Sequence, residues 1–557
     1  MLSLFIKEKV HFFACPPCAC PSIHVRFGQL YINEVVLGTA VGVILGPYCA
    51  SIFNPRAWGG NINEIALEVM RISLAIGLFT IGVELPRSYL ADHAVGLLVM
   101  VVPTMAFGWL VVAAIIYAVF PPINFISSLV ISACLTPTDP IVSAAVLGTF
   151  TGSLLSLYAL IPPTGGNFAT KHVPLPLRQI LAAESAANDG LAYPFLSISL
   201  YLSVEAVRGV AIEKGILIGW LYQVFLGTLL GAVFGIAFSL LMKLTYRKGL
   251  IDRESYVAQH ISLAIFTIGV ARTLGLDDLL AAFAAGSAIS WDGQFNSQVE
   301  GQVFSTVLDL ILNCACFAYI GAWIPFNMFD AANVGITPWR LVVILLAVMF
   351  LRRIPSILLL YRWVPEIATW KEALFAGHFG PMGVGAIFIS TLAVSELPEP
   401  ESPPANQAQL LAVTLQPIVA FVVLGSIIIH GLSIPCFSLG QKLHSLSRSL
   451  SRSYEVSGTQ SGPISPSETA TLADVERGTT DGNFSHEMVI VGQMPDLRSA
   501  APIGDGTSVA SAHAHTALPF SAIVSVCRPR SPCAPHSVAC ERHRWPTNPL
   551  SDAVRSG

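Results

Sequence analysis

The 557-residue chain has few charged side chains. Asp, Glu, Lys and Arg make up only 11% of it, whereas a soluble protein carries roughly 25%. The hydrophobic fraction is 54% and the mean hydropathy is +0.66, so most of the chain does not face water. The net charge of −4 is small and gives no indication of nucleic-acid binding. The composition therefore excludes an ordinary soluble domain and indicates a membrane protein.

Several motifs that would indicate other functions are missing from the sequence. The eleven cysteines are scattered, and the Cys15–Cys18 pair has no second Cys/His pair at ligand spacing nearby. We expect no cofactor and no tightly bound metal. An intramembrane aspartyl protease would need a Gly-x-Gly-Asp sequence, and a cation channel would need a pore-loop signature. Neither sequence is present, so the protease and the channel remain only as weak alternatives.

Twelve apolar windows are long enough, or nearly so, to cross about 30 Å of hydrocarbon. They lie near 30–50, 64–84, 94–119, 124–149, 179–204, 214–242, 256–275, 278–290, 303–325, 339–361, 372–395 and 409–435. The window at 278–290 is short, and the apolar N-terminal run is a candidate thirteenth span. The pattern predicts an all-α polytopic membrane protein with 12–13 transmembrane helices.

The distribution of charge orients these spans in the membrane. With the N-terminus in the cytoplasm, the inner loops hold most of the basic residues. These are Arg87, Lys171, Arg178, Lys243, Arg247, Lys248, Arg253, Arg362 and Lys371. The outer loops hold few basic residues and several acids, among them Asp330 and Glu396. We expect both termini in the cytoplasm, with a disordered Ser/Pro/Gly-rich tail over 441–557.

Four polar residues lie together in one apolar window. Glu184 and Asp189 are five residues apart, with Ser185 and Asn188 between them. On a helix, residues four apart share a face, so these side chains form one broad polar flank. A charged side chain at this depth costs about 2.5–3.5 kcal/mol on insertion scales and rarely persists without a function. The flank suits a small hard cation or a proton.

Two further windows are interrupted by proline and glycine. Pro137 and Pro140 flank Asp139 in the first, and the run from His378 to Gly385 interrupts the second. Proline removes helical hydrogen bonds, and irregular backbone at this depth is tolerated only where it is buried or lines a cavity. An ordinary kink explains one such site, but two broken helices in corresponding halves indicate a transporter with inverted repeats and crossing half-helices.

Four motifs together resemble the fungal plasma-membrane sodium/proton antiporters, a branch of the monovalent cation/proton antiporter superfamily. They are Thr136-Pro137-Thr138-Asp139-Pro140, Lys171-His172-Val173-Pro174, Leu181–Gly190 and Gly380-Pro381-Met382-Gly383. The resemblance covers residues 30–440, which we take as the exchanger domain. It implies exchange of Na⁺ for H⁺ in cation and pH homeostasis, with K⁺ and Li⁺ as alternative ions. It also implies a plasma-membrane location among lipids and a homodimer.

The resemblance also implies roles for individual residues. Asp189 is expected to be the main site for sodium or a proton. Asp139, Thr138 and Ser185 are expected to complete that site, with transported Na⁺ at Asp189 and Asp139. Asn188 is expected to be the structural partner of the broken helix, and Glu184 a supporting residue.

Arg353 and His378 each have two interpretations. Arg353 resembles the intramembrane arginine of the family, which is expected to pair with a carboxylate such as Glu184. The alternative is an arginine that snorkels to the cytoplasmic surface, which fits its neighbour Arg352 better. His378 resembles a histidine tied to pH response, and the alternative is a hydrogen-bonded structural histidine.

Asp277 and Asp278 also leave two interpretations open. They stand at the start of a helix, where they can cap its N-terminus. Fungal relatives carry an acidic pair here that affects transport, which favours a cation-attracting mouth instead.

Two segments depart from the family pattern. The first is residues 10–29, within the atypical N-terminal segment 1–29, and the second is residues 151–167. Each interrupts motifs that would otherwise be continuous. Both resemble translated introns or lineage-specific insertions. An altered or inactive variant of the antiporter is therefore the alternative to an active one.

Overall fold

The computed structural model describes residues 34–59, 62–147, 173–205, 207–250, 253–293, 295 and 304–458. Over these ranges the chain is helical and has no β-strand, only an isolated bridge between Ala331 and Ile336. The main helices are α1 (Glu34–Leu45), α2 (Ile62–Glu84), α3 (Ala94–Val119), α4 (Phe125–Leu135), α5 (Pro140–Leu147), α6 (Leu175–Val204), α7 (Arg208–Arg247), α8 (Arg253–Thr273), α9 (Asp278–Ile289), α10 (Phe304–Trp323), α11 (Pro338–Leu351), α12 (Ile354–Leu360), α13 (Trp370–His378), α14 (Val384–Ser395) and α15 (Gln407–Gly458). The predicted all-α class is confirmed.

Each of the twelve apolar windows corresponds to a helix or to a pair of half-helices. Six segments in the described ranges are long and apolar enough to cross a membrane, and five shorter helices are apolar. Helix α6 has 30 residues but is not among the six. Polar side chains in its middle lower its hydropathy, and these are the residues that the sequence marks as functional.

Two spans are broken where the sequence predicts it. Helix α4 ends at Leu135 and α5 begins at Pro140, while α13 ends at His378 and α14 begins at Val384. The two breaks meet, because the backbone N–H of Asp139 donates to the carbonyl of Pro381 over 2.7 Å. The two unwound stretches thus provide each other with a backbone hydrogen-bond partner in the core of the bundle.

Glycines allow close contact between several helices. A Cβ atom at Gly231 of α7 would lie 2.1 Å from the carbonyl oxygen of Ala281 in α9. Gly42 of α1 and Gly286 of α9 make similarly close approaches to α10 and α2. Such small-residue contacts are typical of membrane helices, where close packing replaces hydrophobic burial as the driving force. They hold α9 firmly between α2 and α7.

Helix α15 is longer than the sequence analysis predicted. It continues to Gly458, so residues 441–458 are helical and not part of a disordered tail. The reason is in the sequence: Leu439, Leu443, Leu446 and Leu450 recur at helical spacing. The rest of the predicted tail (459–557) and the segments 10–29 and 151–167 lie outside the described residues.

Candidate ion-binding site

Asp189 lies in the middle of α6, facing the start of α14. Its side chain is buried, and neither carboxylate oxygen accepts a hydrogen bond from the residues that the structure describes. A Cβ atom at Gly385 would lie 2.2 Å from Asp189 Oδ1, so the carboxylate packs directly against the backbone of Gly385. A buried carboxylate without a partner is unstable, so this geometry points to a ligand that the side chain takes up.

Asp139 is buried at the point where the two broken helices cross. Its Oδ1 accepts from the N–H of Val142 at 2.8 Å, and its Oδ2 accepts from the N–H groups of Val384 and Gly385. One carboxylate therefore caps the N-termini of both α5 and α14, where negative charge is favoured. Asp139 also interacts electrostatically with Asp189 but is not hydrogen-bonded to it. Its direct contacts are those of the crossing.

Thr138, Ser185 and Asn188 form a hydrogen-bonded network beside the break. Asn188 Oδ1 accepts from the backbone N–H of Thr138 at 2.9 Å, and Asn188 Nδ2 donates to Thr138 Oγ1 at 2.7 Å. Ser185 Oγ lies 3.2 Å from Thr138 Oγ1 and 3.3 Å from Ser143 Oγ. Asn188 thus makes the contact expected of the partner of the broken helix. The network does not extend to the oxygens of Asp189 in the described structure.

Glu184 and Arg353 form a buried bidentate ion pair. Arg353 Nη1 and Nη2 donate to Glu184 Oε1 and Oε2 over 2.5 and 2.7 Å, and both side chains are at most 5% exposed. Arg353 Nε donates to the carbonyl of Ala376, and Glu184 also accepts from Asn188 Nδ2 at 2.9 Å. The predicted partner of Arg353 is therefore the observed one. The pair joins α6 to the start of α12, and the bond of Arg353 to Ala376 extends the link to α13.

Arg352 does not snorkel to the membrane surface, contrary to the interpretation that its position suggested. It is only 4% exposed and faces the break after α4. Its guanidinium donates to the carbonyls of Leu135 (2.7 Å), Thr136 (3.1 Å), Pro137 (3.0 Å) and Gly380. These carbonyls lack helical partners because the helices end there, and a cation at a helix C-terminus is favoured.

His378 lies half-buried at the end of α13. Its ring stacks on that of His430 with the centroids 5.4 Å apart, and its carbonyl oxygen is 3.0 Å from His430 Nε2. His430 Nδ1 lies 2.9 Å from the carbonyl of Ser426, whose hydroxyl accepts from the N–H of Met382. Sequence reasoning missed His430, which ties α15 to the second break.

A cavity of about 280 Å³ lies beside Asp189 and extends to the start of α9 and the end of α14. Its lining includes Asp189, Tyr193, Gln223, Asp277, Arg71 and Glu396. Asp277 caps α9, its Oδ1 accepting from the N–H of Leu280 at 2.9 Å, and it also faces the cavity. The capping and mouth interpretations of Asp277 are therefore compatible.

Asp278 is engaged by Arg71 of α2, which sequence reasoning missed. Arg71 donates to Asp278 and lies 3.6 Å from Glu68, which in turn pairs with Arg272. A lone arginine within an apolar window was the signal available in the sequence. The result is a belt of paired charges at the mouth of the cavity.

These features together define a class of protein. Within the described ranges, a helical membrane bundle has two broken helices that cross beside a buried carboxylate without a hydrogen-bond partner, and this is the architecture of a secondary transporter. A sequence profile of the family described as "Sodium/hydrogen exchanger, transmembrane" matches residues 18–439. The chain belongs to this family.

Named relatives agree with the family assignment. The chain is 40% identical over 437 residues (77% of its length and 55% of the relative's) to a probable Na⁺/H⁺ antiporter of Schizosaccharomyces pombe. It is 37% identical over 459 residues (80% and 42%) to a Na⁺/H⁺ antiporter of Saccharomyces cerevisiae. The chain thus spans about half the length of these relatives. Their names are those of transporters, not of enzymes.

A solved structure shares the fold. The sodium/proton antiporter MjNhaP1 of Methanocaldococcus jannaschii superposes with a TM-score of 0.50 at 18% identity. The match covers 72% of this chain and 93% of that one. At this identity the match supports the helical fold alone.

Proposed function

We propose that the protein is a secondary antiporter that exchanges Na⁺ for H⁺ across the plasma membrane. The observation that carries the proposal is the carboxylate of Asp189, which is buried, without a partner among the described residues, and open to a cavity. A carboxylate needs either a proton or a cation when it is buried. The names of the relatives supply Na⁺ as the cation.

Competition at Asp189 couples the two fluxes. One carboxylate cannot hold a proton and Na⁺ well at the same time, so the site carries one or the other in each passage. The cavity exposes the site to one end of the bundle, and a second conformation must expose it to the other end. No covalent chemistry and no cofactor are needed.

The surrounding residues have supporting roles in this proposal. Asp139 holds the crossing together and places its charge near Asp189, while Thr138, Ser185 and Asn188 stabilise the adjacent break. Glu184 and Arg353 fix α6 against the start of α12, and Arg353 also bonds to α13. These contacts hold the geometry of the site, and Asp189 binds the ion.

The remaining assignments follow from charge and from the relatives. The basic residues of the predicted inner loops support an orientation with both termini in the cytoplasm, and in that orientation the cavity opens to the outside. We propose a homodimer as the working unit. Na⁺ is the transported cation, and K⁺ and Li⁺ are the ions to test for selectivity.

The substitution Asp189→Asn tests the proposal. It removes the titrating charge but keeps the shape of the side chain, so exchange should be abolished while abundance stays near that of the parent. The measurement is Na⁺ uptake driven by a pH gradient into vesicles that contain equal amounts of protein. Asp330→Asn is the matched control, because Asp330 is exposed in a loop away from the cavity. Substantial residual exchange in Asp189→Asn would contradict a single-carboxylate mechanism.

A further inference from the structure

The cavity holds more unsatisfied oxygen atoms than those of Asp189. Asp277 Oδ2 and Gln223 Oε1 are also buried and have no hydrogen-bond partner among the described residues. Both residues line the same cavity as Asp189. Asp277 is only 6% exposed. Buried acceptor oxygens are normally satisfied, so a second group of them in one cavity indicates a second place for a ligand.

Gln223 and Asp277 are held next to each other by their backbones. The N–H of Asp277 donates to the carbonyl of Gln223 at 3.3 Å. Gln223 lies in a π-helical stretch of α7, Gly215–Phe225, a rare geometry that occurs often at functional sites. Gln223 Nε2 donates to the hydroxyl of Tyr193 at 3.1 Å, which leaves Oε1 as the acceptor.

The position of this pair relative to Asp189 follows from α6. Tyr193 is four residues after Asp189 and lies on the same face, about 6 Å further along the helix axis. Gln223 contacts Tyr193, so the pair lies about one helical turn nearer to the mouth of the cavity than Asp189 does. A ligand entering the cavity meets Gln223 and Asp277 first.

The neighbouring charges leave Asp277 available for a cation. Two arginines line the cavity, and each already has a carboxylate partner: Arg71 is bound to Asp278, and Arg272 is bound to Glu68. Asp277 uses only Oδ1 to cap α9. The two acids of the Asp277-Asp278 sequence therefore have different functions, one as the counter-ion of arginine and one as an open oxygen ligand.

We propose that Gln223 Oε1 and Asp277 Oδ2 form a second subsite for an alkali cation on the path to Asp189. This inference rests on the proposed exchange function. Carboxylate and amide oxygens suit hard cations. An amide does not take up a proton in the physiological range, so Gln223 favours Na⁺ over H⁺ at this point. The subsite replaces part of the water around Na⁺ before the ion reaches Asp189.

The first test is Gln223→Leu, measured as Na⁺/H⁺ exchange in right-side-out and inside-out vesicles. The apparent KM for Na⁺ on the cavity side should rise roughly tenfold, as expected for one lost contact to a charged ligand. The maximal rate and the KM on the opposite side should stay at the parent values. Gln416→Leu is the matched control, since Gln416 bonds to Asn63 away from the cavity and should change neither. An unchanged KM on both sides would overturn the subsite.

A second variant keeps the proposal testable if Gln223→Leu does not fold. Gln223→Glu keeps the length and the oxygen of the side chain and adds a negative charge, so it should lower the KM for Na⁺ on the cavity side. If Gln223→Leu is not produced in folded form, the absence of any KM change in Gln223→Glu would overturn the proposal.

A binding measurement separates this subsite from the exchange function itself. In the Asp189→Asn background, radioactive Na⁺ alone should still bind weakly, and Asp189→Asn/Gln223→Leu should abolish that binding. Equal Na⁺ binding by the single and the double variant would show that only water occupies the site at Gln223 and Asp277, and would overturn the subsite. Failure of the parent protein to exchange would refute the proposed function, whereas normal exchange with a parental KM in Gln223→Leu would refute only the subsite.

Discussion

At the scale of single residues, we propose that the buried Glu184–Arg353 pair has a structural role and takes no part in ion binding. It is buried and bidentate, and the cavity that reaches Asp189 is lined by other residues. Removal of one partner leaves an uncompensated buried charge, which costs about 3–5 kcal/mol. We predict that Glu184→Ala and Arg353→Ala lower the apparent melting temperature and the yield more than they change the KM for Na⁺.

The charge-swapped protein Glu184→Arg/Arg353→Glu is the control for that prediction. It restores opposite charges, so it should recover part of the lost stability. Recovery should be incomplete, because Arg353 also donates to Ala376 and Glu184 also accepts from Asn188. Single variants that melt like the parent and only shift ion affinity would place the pair in the transport path instead.

Arg352 and Arg353 mark the limit of what the sequence can predict about side chains. Both belong to one Arg-Arg sequence in an apolar window, so composition could not separate them. The chain bends at Arg353, which lies at the start of α12 with φ −127° and ψ −40°. This break, between α11 and α12, directs Arg352 to the carbonyls after α4 and Arg353 to Glu184. The resemblance to a family gave the partner of Arg353, but only the tertiary contacts show the partners of Arg352.

At the scale of helices, the contact of α7 with α9 controls the position of the cavity wall. Gly231→Ala would place a Cβ atom 2.1 Å from the carbonyl oxygen of Ala281, a backbone atom that cannot move without the helix. We predict a loss of about 1–3 kcal/mol of stability, the usual cost of overpacking. The measurement is the apparent melting temperature of the purified protein.

The matched control for this change is Gly269→Ala in α8. A Cβ atom at Gly269 meets nothing within 4 Å in the described structure. Alanine favours a helix over glycine by about 1 kcal/mol, so this variant should melt at or slightly above the parent temperature. Equal losses in the two variants would show that the close α7–α9 contact is not what stabilises this wall.

Helix existence was predictable, but helix detail was not. Hydropathy located all twelve windows, because a lipid environment requires apolar residues along each span. Proline and glycine located both breaks. The π-helical stretch in α7 was not visible in the sequence, because Gly215 and Gly219 sit against Ile198 and Ser197 of another helix. Tertiary packing of this kind leaves no periodic signal.

At the scale of the whole molecule, the site is assembled from helices far apart in the sequence. The sequence predicted Asp189 and Asp139 as neighbours through resemblance to a family, and it predicted the crossing through two interrupted windows. It did not predict Gln223 as part of the cavity, since one glutamine among apolar residues is an ordinary feature of a membrane helix. The functional path depends on which helices meet, and that is a property of the complete bundle.

The segment 151–167 provides a test at this scale. A true extra span there would invert the membrane topology of all later spans. It would place the Lys243–Arg253 cluster outside, against the observed distribution of positive charge. Helices α5 and α6 pack against each other, with Ser143 Oγ and Ser185 Oγ 3.3 Å apart. Without residues 151–167, about ten residues remain between α5 and α6, and this length can extend over roughly 33 Å.

We therefore predict that deletion of 151–167 preserves or improves transport. The measurement is growth on high sodium of a yeast strain that lacks its own antiporters, with protein abundance determined in parallel. The parent chain and Asp189→Asn serve as the positive and negative controls. A deletion that abolishes salt tolerance at unchanged abundance would show that the segment is a working part of the transporter. In that case the link between the two site helices, and not only the helices themselves, takes part in exchange.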